Sequence, residues 1–268
     1  MKKALKITGI TLAVLTVLTV ILCLFTGIVP YLLVKSMDTD SDISCSEWPH
    51  YDAGMLSSAK MISYNGVCAN VPSDMENAVD KNGNVRQNVF SNKKTAADGQ
   101  AVTLIIMDRN TERVGSLSDM FSQALDGSGS DMSATQRRRA EKMMAGFEKA
   151  FNEYCESIGK KPPANRYEYM EVIYSSDLKS VNVFDRDRTV VRAVLAVMRS
   201  TLAVSLNGEV MFFENETTKA FVSPYGENGG KYLVELFDRN DLDASYILIV
   251  SAPDEDVMYK IINSLRIE

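Results

Sequence analysis

Lys60–Val71 reads KMISYNGVCANV, two short β-type runs on either side of Asn65-Gly66. Asn65-Gly66 is a turn signal, so Lys60–Tyr64 and Val67–Val71 are expected as strands of a hairpin. Further on, Val85–Ser91 follows the turn residues Lys81-Asn82-Gly83-Asn84, and Ala101–Met107 is another run of the same kind. Strands this short, separated by turn residues, predict hairpins of one antiparallel sheet.

The hydrophobic period then changes. Leu117, Met120, Phe121 and Leu125 recur at helical spacing behind Ser116, and Gly127-Ser-Gly129 breaks the run. Ser133-Ala-Thr-Gln136 has the form of a capping box, in which the serine oxygen and the glutamine side chain each satisfy a backbone N–H of the first turn. The long helix it opens carries Ala140, Met143, Met144, Phe147, Ala150, Phe151, Tyr154, Cys155 and Ile158 on one stripe, and stops at Gly159 before Pro162-Pro163. Such a stripe faces a core or lines a groove for a partner's helix.

Tyr167–Tyr174 is aromatic and β-branched, hence expected as a strand. Phe184–Arg199 fits either a helix opened by Asp185 or Asp187 or a buried strand. Leu202–Leu206, Asn207-Gly208 and Glu209–Glu214 form the most specific turn signal of the chain and predict a type I′ hairpin, because both central residues of such a turn need positive φ, which Asn and Gly tolerate. Lys231–Asp238 and Tyr246–Val250 read as strands, and Asp254–Leu265 as a closing helix with Val257, Ile261 and Leu265 inward. The fold class is α+β, an antiparallel sheet packed with helices, with residues 59–268 as one domain and 116–165 as a helical insertion.

Before this domain the chain has another character. Residues 7–34 carry no charge, and Ile7–Val29 is long enough as a helix to cross a hydrocarbon core of roughly 30 Å. A cleaved signal peptide would have a shorter apolar run and a small-x-small exit, which Leu24–Pro30 lacks, so an uncleaved anchor is expected. Lys2, Lys3 and Lys6 precede the span and only Lys35 follows it, which keeps the amino terminus cytoplasmic and the bulk extracytoplasmic. Residues 1–35 are then a cytoplasmic tip and single-pass signal anchor in the cell membrane, and 36–58 a stalk.

Charge and residue types exclude several functions. The total is −6, and the lysines of the first 35 residues leave about −10 on the remainder, which repels polyanions and argues against nucleic acid. His50 is the only histidine, and no G-x-S-x-G, H-E-x-x-H, P-loop, G-x-G-x-x-G or paired CxxC occurs. Asp185-Arg-Asp-Arg188 and Asp238-Arg-Asn-Asp241 lack the alternating oxygens and central glycine of a calcium loop, and read as solvated turns. No catalytic residue, cofactor or metal is assigned.

Some residues stay open to two readings. Cys45 and Cys68 are a natural pair for a bridge worth about 3 kcal/mol if the exterior is oxidising, and otherwise remain thiols. Trp48 and Tyr51, in Trp48-Pro-His-Tyr51, would serve a partner or the lipid interface, or fold back on their own domain. Arg137, Arg138 and Arg139 form a solvated face, or, at the unfavourable end of a helix dipole, meet an acidic partner or lipid headgroup.

Ser63-Tyr-Asn-Gly-Val-Cys-Ala-Asn-Val-Pro72 resembles the opening of the PsbP and DcrB-type family, and Tyr259-Lys-Ile-Ile-Asn-Ser-Leu-Arg-Ile267 resembles its ending. What the resemblance implies is an α/β sandwich with a non-catalytic accessory role and no common site to carry over. The expected function is thus a membrane-tethered domain binding a protein partner, envelope- or secretion-associated or immunity-type. The alternative is a sensor or small apolar ligand-binding domain, with an enzyme less favoured.

Overall fold

A computed structural model of the chain describes residues 31–32, 44–49, 56, 58–92, 101–107, 133–177, 185, 187–196, 209–225 and 230–268. Its strands are β1 (Ser44–Glu47), β2 (Ala59–Tyr64), β3 (Val67–Pro72), β4 (Met75–Val79), β5 (Val85–Asn92), β6 (Thr103–Ile106), β7 (Glu209–Glu214), β8 (Thr218–Pro224), β9 (Lys231–Asp238), β10 (Asp241–Ser251) and β11 (Arg266–Ile267). Its helices are α1 (Ala134–Ser157), α2 (Arg166–Ser175), α3 (residues 187–196) and α4 (Glu255–Asn263). The fold is α+β, in two compact units. One holds Ile43–Ser116, Ala164–Tyr174 and Leu202–Glu268; the other holds Met1–Asp42, Leu117–Pro163 and Ser175–Thr201.

In the first unit eight strands lie in the order β1-β7-β8-β9-β10-β6-β5-β4, and β11-β3-β2 form a second sheet. Successive side chains point to opposite faces of a strand. Met211, Val222, Val234, Leu236, Leu248 and Leu104 therefore share one face of the large sheet, in a core with Val67 and Val71 of β3 and Met258, Ile261 and Ile262 of α4. Val210, Phe221 and Phe237 share the other face with Tyr167 and Tyr174 of α2. Burial on both faces is why β9 reads KYLVELFD without clean alternation.

The opening hairpin forms as its sequence dictates, with Asn65 at φ 50 and Gly66 at φ 85. The Tyr246 hydroxyl donates to the Asn65 carbonyl at 2.9 Å, which ties the turn to the large sheet. At the other end of β3, the Asn70 N–H donates to Ser264 Oγ at 2.8 Å, fixing the end of α4. That helix starts at Asp254, whose carboxylate accepts from the Asp256 N–H at 3.0 Å.

Three expectations are corrected. The large sheet is mixed, because β1 runs parallel to β7 while the remaining pairs are antiparallel. Residues 36–58 are not a continuous stalk, since Ser44–Glu47 belongs to that sheet. Tyr167–Tyr174 is helical rather than extended. Asn165 Oδ1 accepts from the Glu168 N–H at 3.0 Å and Glu168 Oε2 accepts from the Ala164 N–H at 2.7 Å, a reciprocal cap that starts α2. Tyr167, Met170 and Tyr174 then fall on one face, and Tyr167 stacks on Phe221 at 4.8 Å. Both flanks of β7 at Met211 and Phe212 are taken, by β1 and β8. The Leu202–Leu206 arm expected beside β7 lies outside the described residues, as do span 7–29 and the helix over Leu117–Leu125. Among the described residues, no helix is long and apolar enough to cross a membrane.

In the second unit α1 opens with the capping box read from its sequence, Ser133 and Gln136 each satisfying the other's backbone N–H. It closes on Gly159 at φ 76, where the Lys160 N–H reaches the Cys155 carbonyl and the Gly159 N–H that of Glu156. Phe147, Phe151, Tyr154 and Cys155 are buried from its stripe. Residues 187–196 resolve as a helix opened by Asp185, whose carbonyl accepts from the Thr189 N–H at 3.0 Å. From it the Arg192 guanidinium lies 5.5 Å over the Tyr154 ring.

Candidate functional site

The residue that leaves β1 is Trp48, and it does not face outward. Its side chain is 3% exposed, in the core between the large sheet and α4, so the reading in which it meets a partner is corrected. The Trp48 N–H donates to the Phe212 carbonyl at 2.8 Å and extends the parallel ladder by one residue. Its indole Nε1 donates to Asn263 Oδ1 at 2.6 Å. An indole has a large apolar body and one donor, so it is buried where an acceptor waits.

Two tyrosines complete the seat. Tyr259 of α4 meets the indole edge-on at 4.8 Å and Tyr232 of β9 at 5.8 Å. Glu255 Oε1 accepts from the Tyr232 hydroxyl at 3.0 Å and from the Tyr259 hydroxyl at 3.1 Å. Burial, with the carboxylate beside them, pushes both phenols above their ordinary value, so they stay protonated donors. Three aromatics and an acid are also the parts of a cage for a quaternary ammonium. Here the rings touch one another directly, and the indole fills the space a cation would take. The arrangement is a latch. Burying one Trp, on the order of 200 Å² at about 25 cal/mol per Å², stabilises the docked arm by about 5 kcal/mol before the entropy of ordering it.

Cys45 and Cys68 are thiols in different sheets, and the bridge between them is not formed. Cys45 faces Val210 across the ladder and its Sγ donates to the Tyr174 carbonyl at 3.0 Å on the α2 side, while Cys68 is buried in β3. Tyr51 and the Arg137 side chain lie outside the described residues. Arg138 and Arg139 are exposed on the first turns of α1.

At the other end of the large sheet stands a feature the sequence reading passed over. β6 pairs with β5 only over Val89–Ser91, so the arm from Val85 to Asn88 is held by β4 alone among the described residues. Val79 and Val85 face each other at the tip of this hairpin, 60% and 61% exposed. The turn is stiff. The Asp80 carboxylate accepts from the Asn82 N–H at 2.8 Å, the Asn84 N–H at 2.9 Å and the Asn84 amide at 3.2 Å, and Gly83 takes φ 84. These hydrogen bonds, the one from the Asn84 backbone foremost, hold the Asp80 carboxyl below its ordinary value. Asp80 followed by Asn82, Gly83 and Asn84 is the local signal for this turn.

Beneath α2 the Glu235 carboxylate is buried. Its Oε1 accepts from Arg166 Nε at 3.2 Å, Arg166 Nη2 at 3.0 Å and Ser245 Oγ at 3.1 Å. The two Arg166 nitrogens hold the helix to the sheet and the Ser245 hydroxyl braces the carboxylate from the neighbouring strand, which makes this a structural pair. No group of His, Cys, Asp and Glu among the described residues is placed to hold a metal ion. No protein-family model matches the chain, and no curated protein matches it.

Proposed function

We propose that the chain is a single-pass, membrane-tethered exterior accessory module, non-catalytic, that presents the β4–β5 hairpin to a protein partner. The observation that carries it is that β1, the strand nearest the apolar segment, and the β4–β5 hairpin that bears the exposed valine pair stand at opposite ends of one sheet. Eight strands at about 4.8 Å spacing set those edges roughly 35 Å apart. Only residues 30–43 separate span 7–29 from β1, a reach of at most about 50 Å, so the latch keeps the module near the bilayer and the tip away from its own attachment. An exposed apolar pair on a rigid, projecting hairpin is the kind of surface a partner covers. The PsbP/DcrB-type sandwich belongs to this reading, supported by the Asn65-Gly66 hairpin and the closing helix α4.

The test places a photo-cross-linker at Val79 in the full-length chain in its own membranes, with Lys231 as a control position. A discrete adduct from Val79 that Lys231 does not give, and that Val85→Asp abolishes, is expected. Equal labelling from both positions would remove the hairpin as the binding surface. Alkaline extraction of the same membranes reads the anchor, and release of the chain into the soluble fraction would remove the tether.

A further inference from the structure

The arm is held in an unusual way for a piece of a central sheet. β1 has four residues, all four exposed, and it joins the sheet in parallel beside β7, whose sequence lies at the far end of the chain. Its side-chain anchors among the described residues include the adjoining buried Trp48 and the Cys45 thiol, which donates to the Tyr174 carbonyl. Removing Ser44–Trp48 would leave a defined vacancy: an open β7 edge next to an indole seat made by Tyr232, Tyr259 and Asn263. Open edges recruit strands, and the strand that fits this one is read from its occupant.

We propose that Ser44–Trp48 is an exchangeable edge strand, and that two copies of this chain in one membrane associate by each seating its Ser44–Trp48 against β7 of the other. The second copy is the partner because every contact that seats the arm is available, unchanged, in the neighbouring chain, so exchange forms a dimer without inventing an interface. Between Trp48 and Leu56, which packs against the core of its own domain, residues 49–55 reach at most about 25 Å and set how close the exchanging modules must lie. Anchoring in one bilayer raises the effective concentration of the second arm. This goes beyond the hairpin reading and shares only the tether with it.

Cys45 and Val210 are register partners, and neighbouring strands bring Cα atoms within the range a disulfide needs. All test chains are full length and carry Cys23→Ala. One chain has Cys45→Ala with Val210→Cys; the other, differently tagged, keeps Cys45 and Val210. Co-expressed and mildly oxidised in membranes, the pair is expected to give a disulfide-linked species carrying both tags, absent when the first chain is expressed alone and lost with Trp48→Ala in the second. A chain with both Cys45 and Val210→Cys reports the same register within one molecule. If that chain closes an internal bridge while the pair gives no linked species, the arm stays in its own domain and the proposal fails. If neither bridge forms, β1 does not lie against β7 and the proposal fails with its premise. Alkaline extraction of the same membranes reads the tether separately, so loss of the anchor and absence of exchange give different patterns.

Discussion

The indole Nε1 of Trp48 donates to the side-chain oxygen of Asn263 at 2.6 Å, across 215 positions of sequence. One end of this contact is the last residue of α4 and the other is the first residue after β1. The arm and the closing helix therefore stabilise each other.

Trp48 is the chain's only tryptophan, so its emission reports the latch directly. Trp48→Ala is expected to cost about 3–5 kcal/mol in denaturant unfolding. Asn263→Ala keeps the ring but leaves the indole N–H unpaired, at about 1–3 kcal/mol. A red-shifted native emission for Asn263→Ala would show the arm released; unchanged unfolding midpoints for both variants would contradict the latch.

Arg166 and Glu235 form an ion pair whose side chains are 20% and 11% exposed. Glu235→Ala is expected to destabilise by about 3–5 kcal/mol, because it strands the guanidinium. Arg166→Met with Glu235→Leu should recover most of that loss, as apolar replacements of buried pairs do. A double-mutant cycle by urea unfolding measures the coupling, and additive losses would place the energy elsewhere.

Asp80 gives the hairpin turn a pH dependence of defined sign. Its carboxyl ionises more readily in the fold than its ordinary value of 3.8, through the Asn84 and Asn82 hydrogen bonds. The stabilisation is complete above that value and disappears as pH falls through the lower folded pKa. Amide exchange at Asn82 and Asn84 should rise across that acidic window, and Asp80→Asn should remove the pH dependence. A midpoint above 3.8 would refute the assignment.

The three described thiols should differ in reactivity. Burial pushes the Cys155 thiol up to about 11, and Cys68 is buried in β3, whereas Cys45 is exposed. Iodoacetamide at pH 8 should modify Cys45 in the native protein and the other two only on unfolding, as peptide mapping will show. Native labelling of Cys155 at a comparable rate would contradict its burial.

What the sequence revealed was whatever short-range chemistry decides. Asn65-Gly66, Ser133 with Gln136, and Asp254 each act within a few residues, and each forms as its spacing dictates. The strand expected at Tyr167–Tyr174 failed because composition was weighed above period: Asn165-x-x-Glu168 and the 167, 170, 174 spacing were both helical signals. β1 was illegible for another reason. Four exposed residues have no pattern of their own, and the partner that makes them a strand is Glu209–Phe212. Trp48 was noticed as chemistry, but its acceptor lies in α4, beyond any local window.

The parallel register of β1 beside β7 has a mechanical meaning. A pull on the chain from the side of residue 43 arrives at Ser44 and runs lengthwise along the strand, while the bonds to β7 lie across it at even spacing. Tension is shared among those bonds in shear rather than snapping them one after another, and the indole behind Glu47 stops the strand from sliding. A pull that peeled β1 sideways would meet them singly.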